Sequence, residues 1–132
     1  MGNIDLVPVF LGAVVFFAIG VVWYSVLFGK AWQRATGLSD EQLKSANIGL
    51  IYALAFLFEL LIAVTLAHQY AMTGPGDRAK MMIAIGYGAM LMTPAIGIHY
   101  LFQRRSGVLF AIDAGYFIVG MAAMGGVFVA WG

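Results

Sequence analysis

The chain has 132 residues, 63% of them hydrophobic and only 10% charged, with a formal net charge of +1. Soluble domains carry about 25% charged residues, and seven basic plus six acidic side chains cannot coat a globule of this size. Near-neutrality also excludes a nucleic-acid-binding surface, which needs clustered Lys and Arg, and the absence of Cys excludes disulfides, thiolate metal sites and cysteine nucleophiles.

A helix needs roughly 20 apolar residues to cross the hydrocarbon of a bilayer, and four stretches meet that length. The first, about 4–28, has one acid near its start (Asp5), and Pro8 falls in its first turns, where a missing N–H costs little. Without a basic leader or a small-residue cleavage site, it reads as a retained span and not as a signal peptide. The second, about 48–70, contains Glu59 and His68; the third, about 81–102, contains Pro94 and His99; the fourth, about 108–131, contains Asp113. The runs are continuously apolar, without the alternation of a transmembrane barrel. The expected fold is therefore an all-α membrane protein, a single domain of four transmembrane helices in an antiparallel, left-handed bundle.

Between the first two spans, Gly37 breaks the chain, and Ser39 followed by Gln42 fits a capping box with Leu38 and Leu43 at the staple positions. This predicts a short interfacial helix over about Asp40 to Ala46. The second connection, Gly74-Pro75-Gly76-Asp77, is a tight turn by composition. The third is Gln103-Arg104-Arg105-Ser106. Lys30, Arg34, Lys44, Arg104 and Arg105 lie in the first and third connections, against Arg78 and Lys80 on the other side. That bias places the first and third connections in the cytoplasm and both termini outside it, with dual topology left open. Trp23, Tyr24 and Trp32 at one end and Trp131 at the other read as interface anchors.

The first and third spans end alike. Trp23-Tyr24 with Leu27-Phe28 and Lys30 is answered by His99-Tyr100 with Leu101-Phe102 and Arg104, while the second and fourth spans each carry one acid. The likeness suggests two related helical hairpins.

The stretch Trp23-Tyr24-Ser25 with Leu27-Phe28-Gly29-Lys30-Ala31-Trp32 resembles the signature of the bacterial family called domain of unknown function 1761. Gly37-Leu38 to Glu41, Tyr100-Leu101-Phe102, Ile112, Ala114-Gly115-Tyr116, Met124-Gly125 and Trp131 extend the resemblance over nearly the whole chain. It implies a four-span bacterial membrane protein and attaches no activity. The position before Ala-Gly-Tyr is usually Asn in that pattern; here it is Asp113.

An acid near the bilayer centre costs at least about 2.5–3.5 kcal/mol unless it is neutralised or partnered. Glu59 lies roughly 16 Å along its helix from the start of the span, close to the middle. Its face of the helix includes Tyr52, Ala55, Phe56, Ile62, Ala63 and Leu66, and the alanines admit a neighbouring helix. Glu59 is therefore expected to face protein or water, where desolvation disfavours its anion. That suits proton coupling or cation binding, or else a neutral carboxyl donating one interhelical hydrogen bond. Folding the third and fourth spans about Arg105 brings His99 and Asp113 within about 3 Å in depth. A His99–Asp113 pair is expected, with Tyr116 one turn from Asp113. These are too few ligands for a closed metal site, and no metal or cofactor is expected. His68 reads as interfacial.

Small residues recur four apart at Gly49/Ala53, Ala84/Gly88, Ala111/Gly115 and Ala122/Gly126, which permits close helix packing. Pro94 predicts a kink and a released carbonyl at Met90. No hydrolase, zinc-protease, phosphate-loop or dinucleotide motif is present, so no enzyme is expected. Two functions remain. One is translocation of a proton, cation or small solute through an oligomeric bundle past Glu59, with Asp113, His99, Tyr116 and Tyr52 contributing. The other is a non-catalytic structural or accessory subunit. The partners expected are the lipid bilayer and further copies of the chain, or subunits of a membrane complex.

Overall fold

A computed structural model describes residues 4–131 of the chain. Four long helices account for most of it: α1 (Leu6–Leu27), α4 (Ile48–Thr73), α5 (Asp77–Gln103) and α6 (Gly107–Trp131). Each is long and apolar enough to cross a membrane, with mean hydropathy from 1.7 to 2.6 over its best stretch. Two short helices, α2 (Gly29–Thr36) and α3 (Asp40–Ser45), fill the first connection.

The helix ends follow from local chemistry. The Asp5 carboxylate accepts from the Val7 amide at 3.0 Å, and Asn47 and Ser106 do the same for Leu50 and Leu109. The capping box at Ser39 is present in full, with the Gln42 amide on Ser39 Oγ and the Ser39 amide on Gln42 Oε1. Gly37 and Gly74 close α2 and α4 in the left-handed region, at φ of 75° and 56°, where a Cβ would be strained. The sequence reading foresaw α3 but not α2, because the α2 segment lies between Gly29 and Gly37 and carries no capping residue at its start.

Wide turns with five-residue hydrogen bonding interrupt two helices. One ends α1, over Trp23–Leu27; the other lies inside α5, over Tyr87–Met92, just before Pro94. The hydrogen bond that proline cannot make is absorbed in this wide turn, and α5 runs on to Gln103. Thr93 Oγ1 donates to the Gly88 carbonyl at 2.7 Å, which also accepts the Thr93 amide at the end of the turn.

Helix α6 is the centre of the packing. It lies against α1 on one side and α5 on the other, while α4 packs on α1. Contacts between α1 and α6 extend from Gly12 with Met124 through Gly20 with Tyr116 to Trp23 with Gly115. On the other side, Gly88 of α5 approaches the backbone of Phe117 and Ile118, and Ala84 meets Gly125. Of the small-residue pairs read from the sequence, Ala84/Gly88 thus sits in a helix contact, with Gly125 of α6 opposite Ala84 and the Phe117–Ile118 backbone opposite Gly88. A Cβ on Gly126 would meet open space.

The buried core combines Phe16 and Ala13 of α1, Ala63 and Leu66 of α4, and Met121 and Met124 of α6. The outer faces are apolar too: Phe10, Phe58, Leu61, Met90 and Phe102 are all exposed. A surface of this kind is solvated by acyl chains and not by water.

Candidate functional site

Two acids lie inside the bundle, and their surroundings differ in kind. Glu59 and Asp113 are the buried charged side chains of the described residues, at 7% and 8% exposure.

Asp113 sits in the first turns of α6, where each of its oxygens accepts a hydrogen bond from a neighbouring helix. Tyr24 of α1 donates its hydroxyl to Oδ1 at 2.6 Å, and Tyr100 of α5 donates to Oδ2. One position earlier, Trp23 Nε1 donates to the Ile112 carbonyl at 2.8 Å. Three helices are tied at one level by these bonds. A carboxylate with a donor on each oxygen is well stabilised in an apolar site.

The expected pairing of His99 with Asp113 is not formed. His99 is exposed on α5, with its Nε2 2.8 Å from Gln103 Nε2 one turn on. The next residue, Tyr100, is the one that the helix turns inward. Trp23 and Tyr24 likewise do more than mark an interface, since their polar heads both reach α6. Trp32 packs edge-on against Tyr24 with centroids 5.9 Å apart, and Trp131 is exposed. Tyr100 is the residue that sequence reasoning passed over. The signal was available: the likeness between the ends of the first and third spans pairs Tyr24 with Tyr100, and these two converge on the two oxygens of Asp113.

Glu59 presents the opposite case. Its Oε1 lies 2.5 Å from the Tyr116 hydroxyl, and its Oε2 is buried with no hydrogen-bond partner. The Tyr116 hydroxyl also lies 2.9 Å from the Phe16 carbonyl. A phenol has one proton and a carbonyl can only accept, so the three oxygens share hydrogens in two ways. A protonated Glu59 donates to Tyr116, which donates to Phe16. An ionised Glu59 accepts from Tyr116, and Phe16 then gives up that bond. The site accommodates a change of one proton by turning one hydroxyl.

Gly20 makes this possible. A Cβ there would fall 2.7 Å from Tyr116 Oη, so the ring passes beneath α1 only where that helix has no side chain. The rings of Tyr116 and Phe16 meet edge to face at 4.9 Å, which fixes the phenol under the helix.

A cleft of about 210 Å³ opens from this carboxyl to the flank of the molecule between α1 and α4. Phe17, Gly20, Val21, Tyr24 and Ser25 form one wall, Ile51, Tyr52 and Ala55 the other, and Glu59 and Tyr116 lie at its base. Tyr52, placed on the Glu59 face by helical spacing, stands half-exposed at the mouth. No Lys, Arg or His lines the cleft, so nothing basic competes for Glu59. His68 is exposed further along α4. Among the described residues no three His, Cys, Asp or Glu side chains come together in a metal-binding group. Of the site residues read from the sequence, the structure thus joins Glu59, Tyr116 and Tyr52 in one cavity and sets Asp113 beside it as a tie. Pro94 follows the wide turn of α5 and does not line the cleft.

The family model described as protein of unknown function (DUF1761) matches residues 7–129. Neither a search of curated proteins nor one of solved structures finds a match.

Proposed function

The chain belongs to the DUF1761 family, and we propose that it is a small, non-catalytic translocation protein that moves a proton, cation or small solute past Glu59. The observation that carries this reading is Glu59 itself, a buried carboxyl at the base of an open cleft with one of its oxygens unpartnered. A carboxyl that served only to join helices would have both oxygens engaged, as Asp113 does. A mid-membrane acid with one oxygen free and a hydroxyl that can turn is equipped to gain and lose a proton. In this proposal the protein works in the inner membrane with periplasmic termini, as a homo-oligomer, because one protomer leaves the cleft open on its flank.

The test is flux in reconstituted vesicles. Wild-type protein is expected to carry protons or monovalent cations, and Glu59→Gln to abolish that flux while keeping assembly intact. Asp113 supports the second reading, a structural or accessory subunit, because its bonds hold three helices together. If Glu59→Gln proves silent and only the loss of Asp113 dissociates or unfolds the protein, the accessory reading takes over.

A further inference from the structure

The walls of the Glu59 cleft narrow the chemistry of what enters it. Two edge-to-face aromatic pairs line it. Phe17 and Tyr52 meet 5.5 Å apart at 88° near the exposed edge, and Tyr24 and Tyr116 stand 5.4 Å apart at 74°, further in. The hydroxyls of the inner pair are engaged with Asp113 and Glu59, so these phenols meet an occupant mainly through their rings. Beyond the rings lies one carboxyl oxygen, buried and unpartnered.

An inorganic cation needs several oxygen ligands to replace its hydration shell; here a single acid serves the cavity. A neutral apolar solute gains nothing from a buried carboxyl. An anion finds no basic group to receive it. An organic ammonium is weakly hydrated, is attracted to aromatic rings and takes one counter-charge. We infer that the cleft between α1 and α4 binds a small organic ammonium cation, held by the rings of Phe17, Tyr24, Tyr52 and Tyr116 and neutralised by Glu59. This inference rests on the reading of Glu59 given above and names its substrate class.

The charge balance follows. When Glu59 is protonated the empty site is neutral. The ammonium enters, the carboxyl proton leaves to solvent, and the Tyr116 hydroxyl turns from the Phe16 carbonyl to the new carboxylate. One positive charge replaces another, so the buried site stays neutral throughout. The lateral opening also suits this class of ligand. Val21, Ile51 and Tyr52 are exposed around the mouth, on the apolar flank where a cation with hydrocarbon substituents partitions from a bilayer.

The probe is benzyltrimethylammonium, and its control is the uncharged carbon isostere neopentylbenzene. Titration calorimetry on the purified, detergent-solubilised protein, in buffers of different ionisation enthalpy, reads affinity and proton release together. Saturable binding of the cation with release of a proton is expected, and the isostere should not compete. Glu59→Gln should weaken binding by roughly tenfold or more and end the proton release. Tyr52, at the exposed mouth, provides variants that leave the buried core alone: Tyr52→Ala should weaken binding severalfold and Tyr52→Phe restore it. Equal affinity for the isostere, or Tyr52→Phe as weak as Tyr52→Ala, overturns the assignment. Proton flux that depends on Glu59 without any binding of the probe refutes the substrate class and leaves translocation standing. Probe binding without flux confirms the site and refutes translocation.

Discussion

Gly20 and Tyr116 interlock: the phenol oxygen lies 2.7 Å from where a Cβ on Gly20 would stand. The packing of α1 on α6 and the hydrogen bond to Glu59 thus depend on a missing side chain. Gly20→Ala forces either the helices or the ring to move, at a cost of about 1–3 kcal/mol. A lower melting temperature in detergent is expected, and weaker coupling of Tyr116 to Glu59. In a double-mutant cycle the losses from Gly20→Ala and Tyr116→Phe should be less than additive, because the phenol oxygen is the nearest of the atoms that clash. Additive losses would mean that the two residues act separately.

Asp113 makes two bonds that an amide can imitate. Asparagine accepts from one tyrosine through its oxygen and donates to the other through its nitrogen, so Asp113→Asn should fold and melt close to wild type. Asp113→Leu leaves two phenol hydroxyls without partners, at about 1–3 kcal/mol for each buried group so stranded. Thermal unfolding followed by circular dichroism separates the two variants. An Asn variant as unstable as the Leu variant would show that the charge itself is needed.

Gly88 and Gly126 are a matched pair for testing helix contacts. At Gly88 a Cβ would lie 3.0 Å from the Phe117 carbonyl oxygen and 3.1 Å from the Ile118 Cα, and backbone cannot step aside. Gly88→Ala is expected to destabilise by about 1–3 kcal/mol. At Gly126 nothing lies within reach, and Gly126→Ala should stabilise α6 by about 0.5–1 kcal/mol through helix propensity. Melting temperatures moving in opposite directions are the result to look for.

Trp23 distinguishes an interface anchor from a structural tie. Its ring nitrogen donates to the Ile112 carbonyl, and its ring packs on Gly115. Trp23→Phe should cost about 1 kcal/mol even in detergent micelles, where no bilayer interface exists to be lost. An unchanged melting temperature would assign Trp23 to the membrane surface alone.

The helices were legible in the sequence because hydrophobic length is a strong constraint and capping residues mark ends, as Ser39 with Gln42 did for α3. The rotation of each helix was harder to read. Depth along the axis follows from residue counts, so His99 and Asp113 were placed at similar levels. Which of two adjacent residues points inward depends on packing, and Tyr100 took the place assigned to His99. The wide turns over Trp23–Leu27 and Tyr87–Met92 add to the problem, since each inserted residue rotates everything after it by about a quarter turn. Glu59, Tyr116 and Tyr52 were nominated separately. That they share a cavity depends on α1 passing over Tyr116 at Gly20, and nothing in local spacing announces that crossing.

The central place of α6 sets an order of assembly. Chains are made from the N-terminus, so Glu59 enters the lipid before Tyr116, 57 positions later, has been synthesised. During that interval the acid lacks the one donor it has in the finished bundle, and Tyr24 likewise waits for Asp113. Until its final segment arrives, the nascent protein is three helices with mismatched polar groups. A chain that stops between Glu59 and α6 would therefore carry that carboxyl without its Tyr116 partner.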